Sequence, residues 1–98
     1  MAKVIWSAPA LAQLDAIAAV IELDKPAAAR AVVKRIFSET DRLAGFGKIG
    51  RSIPEFPHAG YRQLWVKPCW VYYRLDGSGA IILHVRRAEL PLDLSELL

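Results

Sequence analysis

The chain has 98 residues, the size of one domain, and thirteen Lys and Arg against ten Asp and Glu give it a formal net charge of +3. This small positive excess permits nucleic acid or an acidic protein as a partner and selects neither of them. One cysteine and two histidines exclude an internal disulfide and leave no spacing that resembles a zinc site, so we expect no metal and no other cofactor.

The first residues predict a strand that leads directly into a helix. Residues 3–6 are short, β-branched and aromatic, and they end at Ser7, which is a favoured helix N-cap, while Pro9 suits a first helical turn. Apolar residues then recur at the three-four spacing of an amphipathic helix with one buried stripe, which comprises Leu11, Leu14, Ile17, Ala18 and Ile21.

A second helix is predicted immediately after the first. Asp24 is an N-cap candidate, and Pro26 lies just inside the helix that follows. The apolar stripe of this helix is expected at Ala29, Val32, Ile36, Thr40 and Leu43. Because the connection between the helices is so short, they must run antiparallel and present their stripes to a common layer.

Residues 45–60 predict a loop without regular structure. Three glycines within residues 45–50 end the second helix, since glycine favours turn and left-handed backbone. This Gly-rich stretch follows a helix and lacks a Lys-Ser/Thr pair, so we do not interpret it as a phosphate-binding loop.

Three antiparallel strands are predicted in the second half of the chain. They cover residues 61–66, 70–75 and 80–86, with a turn at Lys67-Pro68 and a Gly-rich hairpin turn at 76–79. The last strand is apolar on both faces at its centre, which predicts an interior position in the sheet.

Alternation within the second of these strands predicts which side chains face the helices. Val71, Tyr73 and Leu75 are expected to face them. The opposite face is expected to carry Trp70, Tyr72 and Arg74. Aromatic rings on such a face are either interface anchors or stacking platforms for bases, and we favour the first interpretation.

The element order β-α-α-β-β-β predicts an α+β fold, in which a helical hairpin covers one face of a sheet ending in an antiparallel meander. We expect a single domain over residues 1–98, and a Leu-rich C-terminal tail, residues 90–98, that docks on the domain or on a partner. The longest nearly apolar stretch is far shorter than the roughly 20 residues of a membrane span. No signal-peptide core is present, so we expect a cytoplasmic protein.

Four segments in this order resemble the ParE/RelE superfamily of type II toxin–antitoxin toxins: residues 50–55 (GRSIPE), 60–66 (GYRQLWV), 71–74 (VYYR) and 82–87 (ILHVRR). The loop of Gly-Arg, apolar residues and Pro-Glu before a Tyr-Arg-x-Leu strand is most similar to the ParE-like branch. The resemblance implies a small toxin held inactive by an antitoxin that wraps it. ParE-like members poison DNA gyrase, whereas RelE-like members cut messenger RNA on the ribosome.

The RelE-like pattern implies cations on all three meander strands and a proton donor in the tail. This chain has Tyr61 and Gln63 at the first-strand positions, Trp70 instead of the second-strand arginine, and only Arg86 or Arg87 in the third strand. Its tail contains no tyrosine, histidine or basic residue. Since one well-placed cation contributes about 10²–10³ in rate, the comparison favours a toxin that is not a hydrolase.

The alternative, an RNA-cleaving RelE-like toxin, would use Arg62, His84 and Arg86. His84 is a candidate general acid, because an unperturbed imidazole changes its charge near neutral pH. It lies inside the strand, on the face of Ile82 and Arg86 if the strand is regular, so we prefer a histidine hydrogen-bonded within the sheet. The lone Cys69 is interpreted as a small apolar residue, because nothing in the sequence places a histidine beside it.

We therefore predict a ParE-like toxin that inhibits DNA gyrase and forms a hetero-oligomer with a cognate, acidic, ParD-like antitoxin. It would reach DNA only indirectly, through the antitoxin, and it has no membrane partner. The predicted partner-binding side chains are Arg62, Trp65, Trp70, Tyr72, Arg74, Arg86 and Arg87. A third hypothesis is a degenerate, non-toxic homologue that acts only as an antitoxin partner or co-repressor.

Overall fold

The computed structural model describes residues 3–57 and 60–88, and the tail at 90–98 lies outside them. The elements in chain order are β1 (Lys3–Trp6), α1 (Ala8–Asp24), α2 (Pro26–Asp41), a 3₁₀ helix (Arg42–Ala44), β2 (Arg51–Ser52), β3 (Tyr61–Val66), β4 (Cys69–Asp76) and β5 (Gly79–Arg87). This order confirms the α+β class, with β2 as an additional short strand inside the predicted loop. Neither α1 nor α2 is long and apolar enough to cross a membrane.

The strands form one sheet in the order β1-β5-β4-β3-β2. The strands β3, β4 and β5 form the predicted antiparallel meander, and β1 joins it by parallel pairing with β5. The interior position predicted for β5 is therefore confirmed. This pairing requires glycine at the start of β5, because a Cβ at Gly79 would overlap the backbone of Lys3 and because its φ is +143°.

The two helix starts differ in how well the sequence predicted them. Ser7 caps α1 as predicted, because its Oγ accepts a hydrogen bond from Ala10 N at 3.2 Å. The second predicted cap is wrong: Asp24 is the last residue of α1, and Lys25 occupies the N-cap position of α2 without a side-chain cap. Pro26 explains the shift, since the residue before a proline is driven out of helical backbone, and Lys25 has φ −139° and ψ 87°.

The buried stripe of α1 starts one residue earlier than predicted. Its buried residues are Ala10 and Leu14, with Ile17 and Ile21 packed against the core, whereas Leu11 is 40% exposed. The first turn is held on β5 by the hydrogen bond from Ser7 N to the Ile82 carbonyl, and this fixes the rotation of the helix. The stripe of α2 is as predicted and comprises Ala29, Val32, Ile36, Thr40 and, beyond the helix, Leu43.

The helices and the sheet enclose the main core, to which Val71, Tyr73 and Leu75 contribute as predicted. A second, smaller cluster lies on the other side of the sheet, which we call the open face. There Ile53 and Tyr72 are buried because residues 53–56 turn back onto the strands. The loop before β3 therefore covers part of the open face, while Trp65 near the end of β3 is exposed.

Candidate functional site

Two tryptophans lie next to each other on the open face. Trp65 in β3 and Trp70 in β4 are directly opposite in the register, and their ring centroids lie 5.0 Å apart. Trp65 remains 46% exposed despite this contact. An aromatic ring that is held in place by a neighbour and exposed to solvent has the properties of an interface anchor, because it offers a large apolar area at little entropic cost.

A groove of about 300 Å³ lies beside the tryptophans, and it is lined by Ile49, Gly50, Arg51, Gln63, Leu64, Trp65 and Trp70. The strand β2 pairs only with Arg62 and Gln63. In the described part of the chain, residues 64–66 therefore have no strand on their outer side. An aromatic wall, an exposed guanidinium at Arg51 and an open strand edge together suit an extended peptide.

A cluster of Tyr72, His84 and Arg86 occupies the other part of the open face. Arg86 Nε donates a hydrogen bond to Tyr72 Oη at 2.9 Å, and its guanidinium carbon lies 5.7 Å from the Tyr72 ring centroid. Burial raises the pKa of Tyr72 against the opposing effect of Arg86, so its hydroxyl is neutral at physiological pH. Arg86 Nη1 also donates to the carbonyls of Arg87 and Ala88, at 3.3 and 3.4 Å, so the guanidinium supports the end of β5.

A β-bulge separates His84 from Ile82, with which a regular strand would place it, whereas His84 and Arg86 share the open face as predicted. The register shifts so that Tyr73 is opposite Ile82 and Tyr72 is opposite His84, with Leu83 as the extra residue. Ile82 consequently joins the helix-facing core, while His84 contacts the Tyr72 ring on the open face, at a centroid distance of 5.7 Å. The side chain is only 5% exposed, which restricts its access to a substrate.

Arg62 lies on the opposite side of the sheet from His84 and Arg86. It lies on the same face of β3 as Leu64 and Val66, which face the helices. Its Nη1 donates to the Gly50 carbonyl at 2.6 Å. The structure therefore does not bring the three residues of the nuclease hypothesis together. Instead, Arg62 holds the loop that carries the wall of the groove.

The Tyr73 hydroxyl holds the same loop from the core. It donates to the Gly47 carbonyl at 2.7 Å and accepts from Gly50 N at 3.0 Å. Burial raises the pKa of Tyr73, with the Gly50 hydrogen bond opposing it, so the hydroxyl keeps the proton that it donates. A Cβ on Gly50 would overlap this hydroxyl, which explains the glycine there.

The other predicted arginines lie near the ends of the strands. Arg74 is half-buried in β4, and Arg87 is half-buried opposite Cys69. Arg87 has the strand parity of the core residue Val85, so Arg86 and Arg87 lie on opposite faces as alternation requires. Within residues 3–57 and 60–88, no three His, Cys, Asp or Glu side chains are grouped so that they could hold a metal ion.

Sequence reasoning missed the loop residues that complete the groove, above all Ile49 and Arg51. Periodicity gave no signal for them, because β2 has only two residues. For Arg51 the available signal was its place in the GRSIPE segment, which carries the family resemblance; Ile49 precedes that segment and had no such signal.

Comparisons with known proteins agree on one family. The family model described as ParE toxin of type II toxin-antitoxin system, parDE, matches residues 4–89. The chain is similar to Toxin ParE3 of Caulobacter vibrioides, with 35% identity over 93 residues, covering 94% of this chain and 92% of that protein. It also resembles a solved structure titled "Chromosomal ParDE TA system from P. aeruginosa", with a TM-score of 0.76, 27% identity, and coverage of 91% of this chain and 98% of that one.

Proposed function

The chain belongs to the ParE toxin family of type II toxin–antitoxin systems, and from this premise we propose that it acts by binding a protein target and not by cutting RNA. The proposed target is DNA gyrase, as the ParE-like resemblance implies. A cognate antitoxin neutralises the chain by covering the open face, and both proteins act in the cytoplasm.

The observation that carries this proposal is the tryptophan pair beside the groove, in which Trp65 is exposed and is held by the partly buried Trp70. Rings of this size bury about 150–250 Å² each in an interface, and tryptophan is among the residues that dominate binding energy. The groove continues from the rings to Ile49, which is also exposed, so the apolar surface is contiguous. A contiguous apolar surface with a rigid aromatic centre is suited to a protein partner.

The positions of the cations support binding over RNA cleavage. Cleavage requires several positive groups around one phosphate. Here Arg62 holds the Gly50 carbonyl on one face, and Arg86 is bound to Tyr72 on the other. These two guanidinium groups cannot converge on one phosphate without breaking contacts that stabilise the loop and the end of β5.

The antitoxin that we propose is acidic and binds in a hetero-oligomer. Arg51 lines the groove, and Arg74 has the strand parity of Tyr72 on the open face. Both carry planar guanidinium groups, which bind carboxylates in two-point contacts. DNA would be contacted through the antitoxin only.

The test measures three activities of the purified, antitoxin-free chain: gyrase supercoiling, antitoxin binding and the appearance of new RNA ends. We expect loss of supercoiling and no new RNA ends. Trp65→Ala should weaken gyrase inhibition and antitoxin binding by about 30-fold or more without lowering the melting temperature. The matched control is Leu23→Ala, because Leu23 is 88% exposed on the helical hairpin and should be neutral.

Two results would contradict the proposal. New RNA ends with unimpaired gyrase would establish the RelE-like alternative. Normal growth on expression of the free chain, together with antitoxin binding, would instead identify a non-toxic homologue.

A further inference from the structure

A second groove lies between the two helices and is not used by the proposed function. Its volume is about 320 Å³, and it is lined by Ala18, Glu22, Ala29, Arg30, Val33 and Lys34. Three of these residues have short apolar side chains, which make the floor of the groove apolar. The rim formed by α1 carries a carboxylate, whereas the rim formed by α2 carries two cations.

The helix α1 is apolar beyond the side that it buries against the sheet. Between Ala8 and Ile21 its only charged residue is Asp15. The side chains of Leu11 and Val20 are 40% and 59% exposed, so the described residues cover one side of this helix and leave apolar surface on the others. A helix that is apolar all round is usually buried all round, and α1 therefore has the composition of a helix with a further partner.

Four exposed charges lie along the two rims of the groove. Asp15 lies about two helical turns before Glu22 on the same side of α1, and Arg30 lies about one turn before Lys34 on α2. None of the four forms an ion pair with another described residue. The hairpin thus presents an acidic rim and a basic rim on one surface, and both are available to opposite charges from outside.

The connection at Lys25 sets the level of these charges along the hairpin, because residues equally far from it lie side by side. Glu22 is three residues before Lys25 and Arg30 is five residues after it, which is a difference of about 3 Å at 1.5 Å per residue. Asp15 and Lys34 are ten and nine residues away, a difference of about 1.5 Å. Each carboxylate therefore has a cation at nearly its own level on the other helix.

We propose that two copies of this chain pair through their helical hairpins, with a two-fold axis that runs along the groove, parallel to the helices. This axis places α1 of each copy on α2 of the other and leaves the level of every residue unchanged. Glu22 of one copy then faces Arg30 of the second copy, and Asp15 faces Lys34. Each contact occurs twice, once on either side of the axis.

The charge pattern selects this arrangement over the other face-to-face pairing of two hairpins. A two-fold axis across the groove would place α1 on α1 and α2 on α2. The acidic rims would then meet each other, and so would the basic rims, and such like-charge contacts disfavour a complex. Only the axis along the groove brings opposite charges together at both helices.

The size of the surface predicts a weak dimer. The helix α1 has 17 residues, so the hairpin is about 25 Å long, and two adjacent helices are about 20 Å wide. Each copy contributes about 500 Å², and the total of about 1,000 Å² lies at the low end for specific interfaces. We therefore expect a dissociation constant of about 10–100 µM. The pairing uses neither the tryptophan groove nor a second protein, so its test is separate from that of the proposed function.

Sedimentation equilibrium of the purified, antitoxin-free full chain at about 5–500 µM tests the pairing. E22K and R30E should each weaken the dimer about tenfold, because each change places like charges at both symmetry-related contacts. An equimolar mixture of the two variants should associate with about the wild-type affinity, because both contacts of the mixed dimer then join opposite charges. Restoration on mixing cannot result from unfolding of either variant.

The matched control repeats the charge changes outside the groove. E55K and K48E alter exposed residues of the loop before β3, and neither the variants nor their mixture should differ from wild type by more than about twofold. Trp65→Ala should also leave the dimer unchanged, because the tryptophan groove is not part of this contact.

Three results would overturn the proposal. The first is a chain that stays monomeric up to about 500 µM. The second is a dimer that E22K and R30E do not weaken, or that mixing the two variants does not restore. The third is loss of antitoxin binding in the same two variants of a chain that does not self-associate, which would assign the groove to the antitoxin.

Discussion

Removal of the Tyr73 hydroxyl should loosen the loop that forms one wall of the tryptophan groove. In Tyr73→Phe the ring keeps its place in the core, while the Gly47 carbonyl loses its donor and the Gly50 N–H loses its acceptor. Gly50 is buried, so its N–H cannot be satisfied by water without movement of the loop.

The expected loss of stability follows from these two bonds. Each neutral hydrogen bond contributes about 1 kcal/mol net, so the substitution should lower the free energy of unfolding by about 2 kcal/mol. This corresponds to a factor of about 30 in the folding equilibrium constant and to about 10 °C in the melting temperature of a domain of this size. Urea denaturation of the purified chain measures it directly.

Tyr61→Phe is the matched control. Tyr61 is half-buried on the open face, and its hydroxyl makes no hydrogen bond to the described residues, so the change should stay within about 0.5 kcal/mol of wild type. A loss below about 0.5 kcal/mol for Tyr73→Phe, or an equal loss for both variants, would refute the reasoning, because the hydroxyl would then contribute nothing specific.

The ionisation of Tyr73 provides an independent measurement. Its pKa in the fold is raised by burial above the ordinary value of 10.0. Above pH 10 the unfolded tyrosine therefore loses its proton before the folded one does, and the stability of the fold falls as the pH rises further. The Tyr73→Phe variant should lose less stability in this range, and Tyr72, whose pKa is also raised by burial, should account for part of the remainder.

Three further predictions concern the turn at 76–79 and the tryptophan groove. Gly79→Ala should destabilise the fold by about 2 kcal/mol or more in thermal denaturation, because its backbone is left-handed and a Cβ would strike β1, whereas Gly77→Ala, with open space around it, should be neutral. Hydrogen bonds from the Ser78 side chain, and next from the Ser78 backbone N–H, lower the pKa of Asp76. The ionised Asp76 therefore stabilises the fold above the pKa that it has in the unfolded chain, and this stabilisation is lost as the pH falls through its lower pKa in the fold. In Asp76→Ala, the free energy of unfolding should therefore fall less steeply than in wild type as the pH is lowered. An equally steep fall in both proteins would contradict this. Quenching of Trp65 by acrylamide should fall when the antitoxin is added, since the ring is exposed in the free chain, and persistent quenching would place the partner elsewhere.

The face of each β4 residue was predictable from the sequence because alternation is a local property of the backbone. Val71 and Tyr73 reached the core and Trp70 and Tyr72 the open face, as their order requires. The stripe of α2 was predictable for the same reason. In α1, the hydrogen bond from Ser7 N to the Ile82 carbonyl of β5 sets the rotation of the first turn, so that Ala10 is buried instead of Leu11. The sequence of the helix gives no sign of this contact.

The candidate site was less predictable, because its loop has almost no periodic structure. Nothing in the residues around Gly50 specifies that Tyr73 and Arg62, far along the chain, will hold that loop beside Trp65. The bulge at Leu83 was equally unpredictable, since a single extra residue places Ile82 and His84 on opposite faces without any change in composition.

By itself, the sequence predicted both helices, the strands β1, β3, β4 and β5, and the helix-facing side chains of β4 and α2, because these depend on spacing along the chain. The family followed from the resemblance of four segments to known toxins. Only the tertiary structure decided which cations share a surface and which loop borders the tryptophans. Those relations depend on strand register and on long-range hydrogen bonds, and a difference of one residue in register exchanges one face for the other.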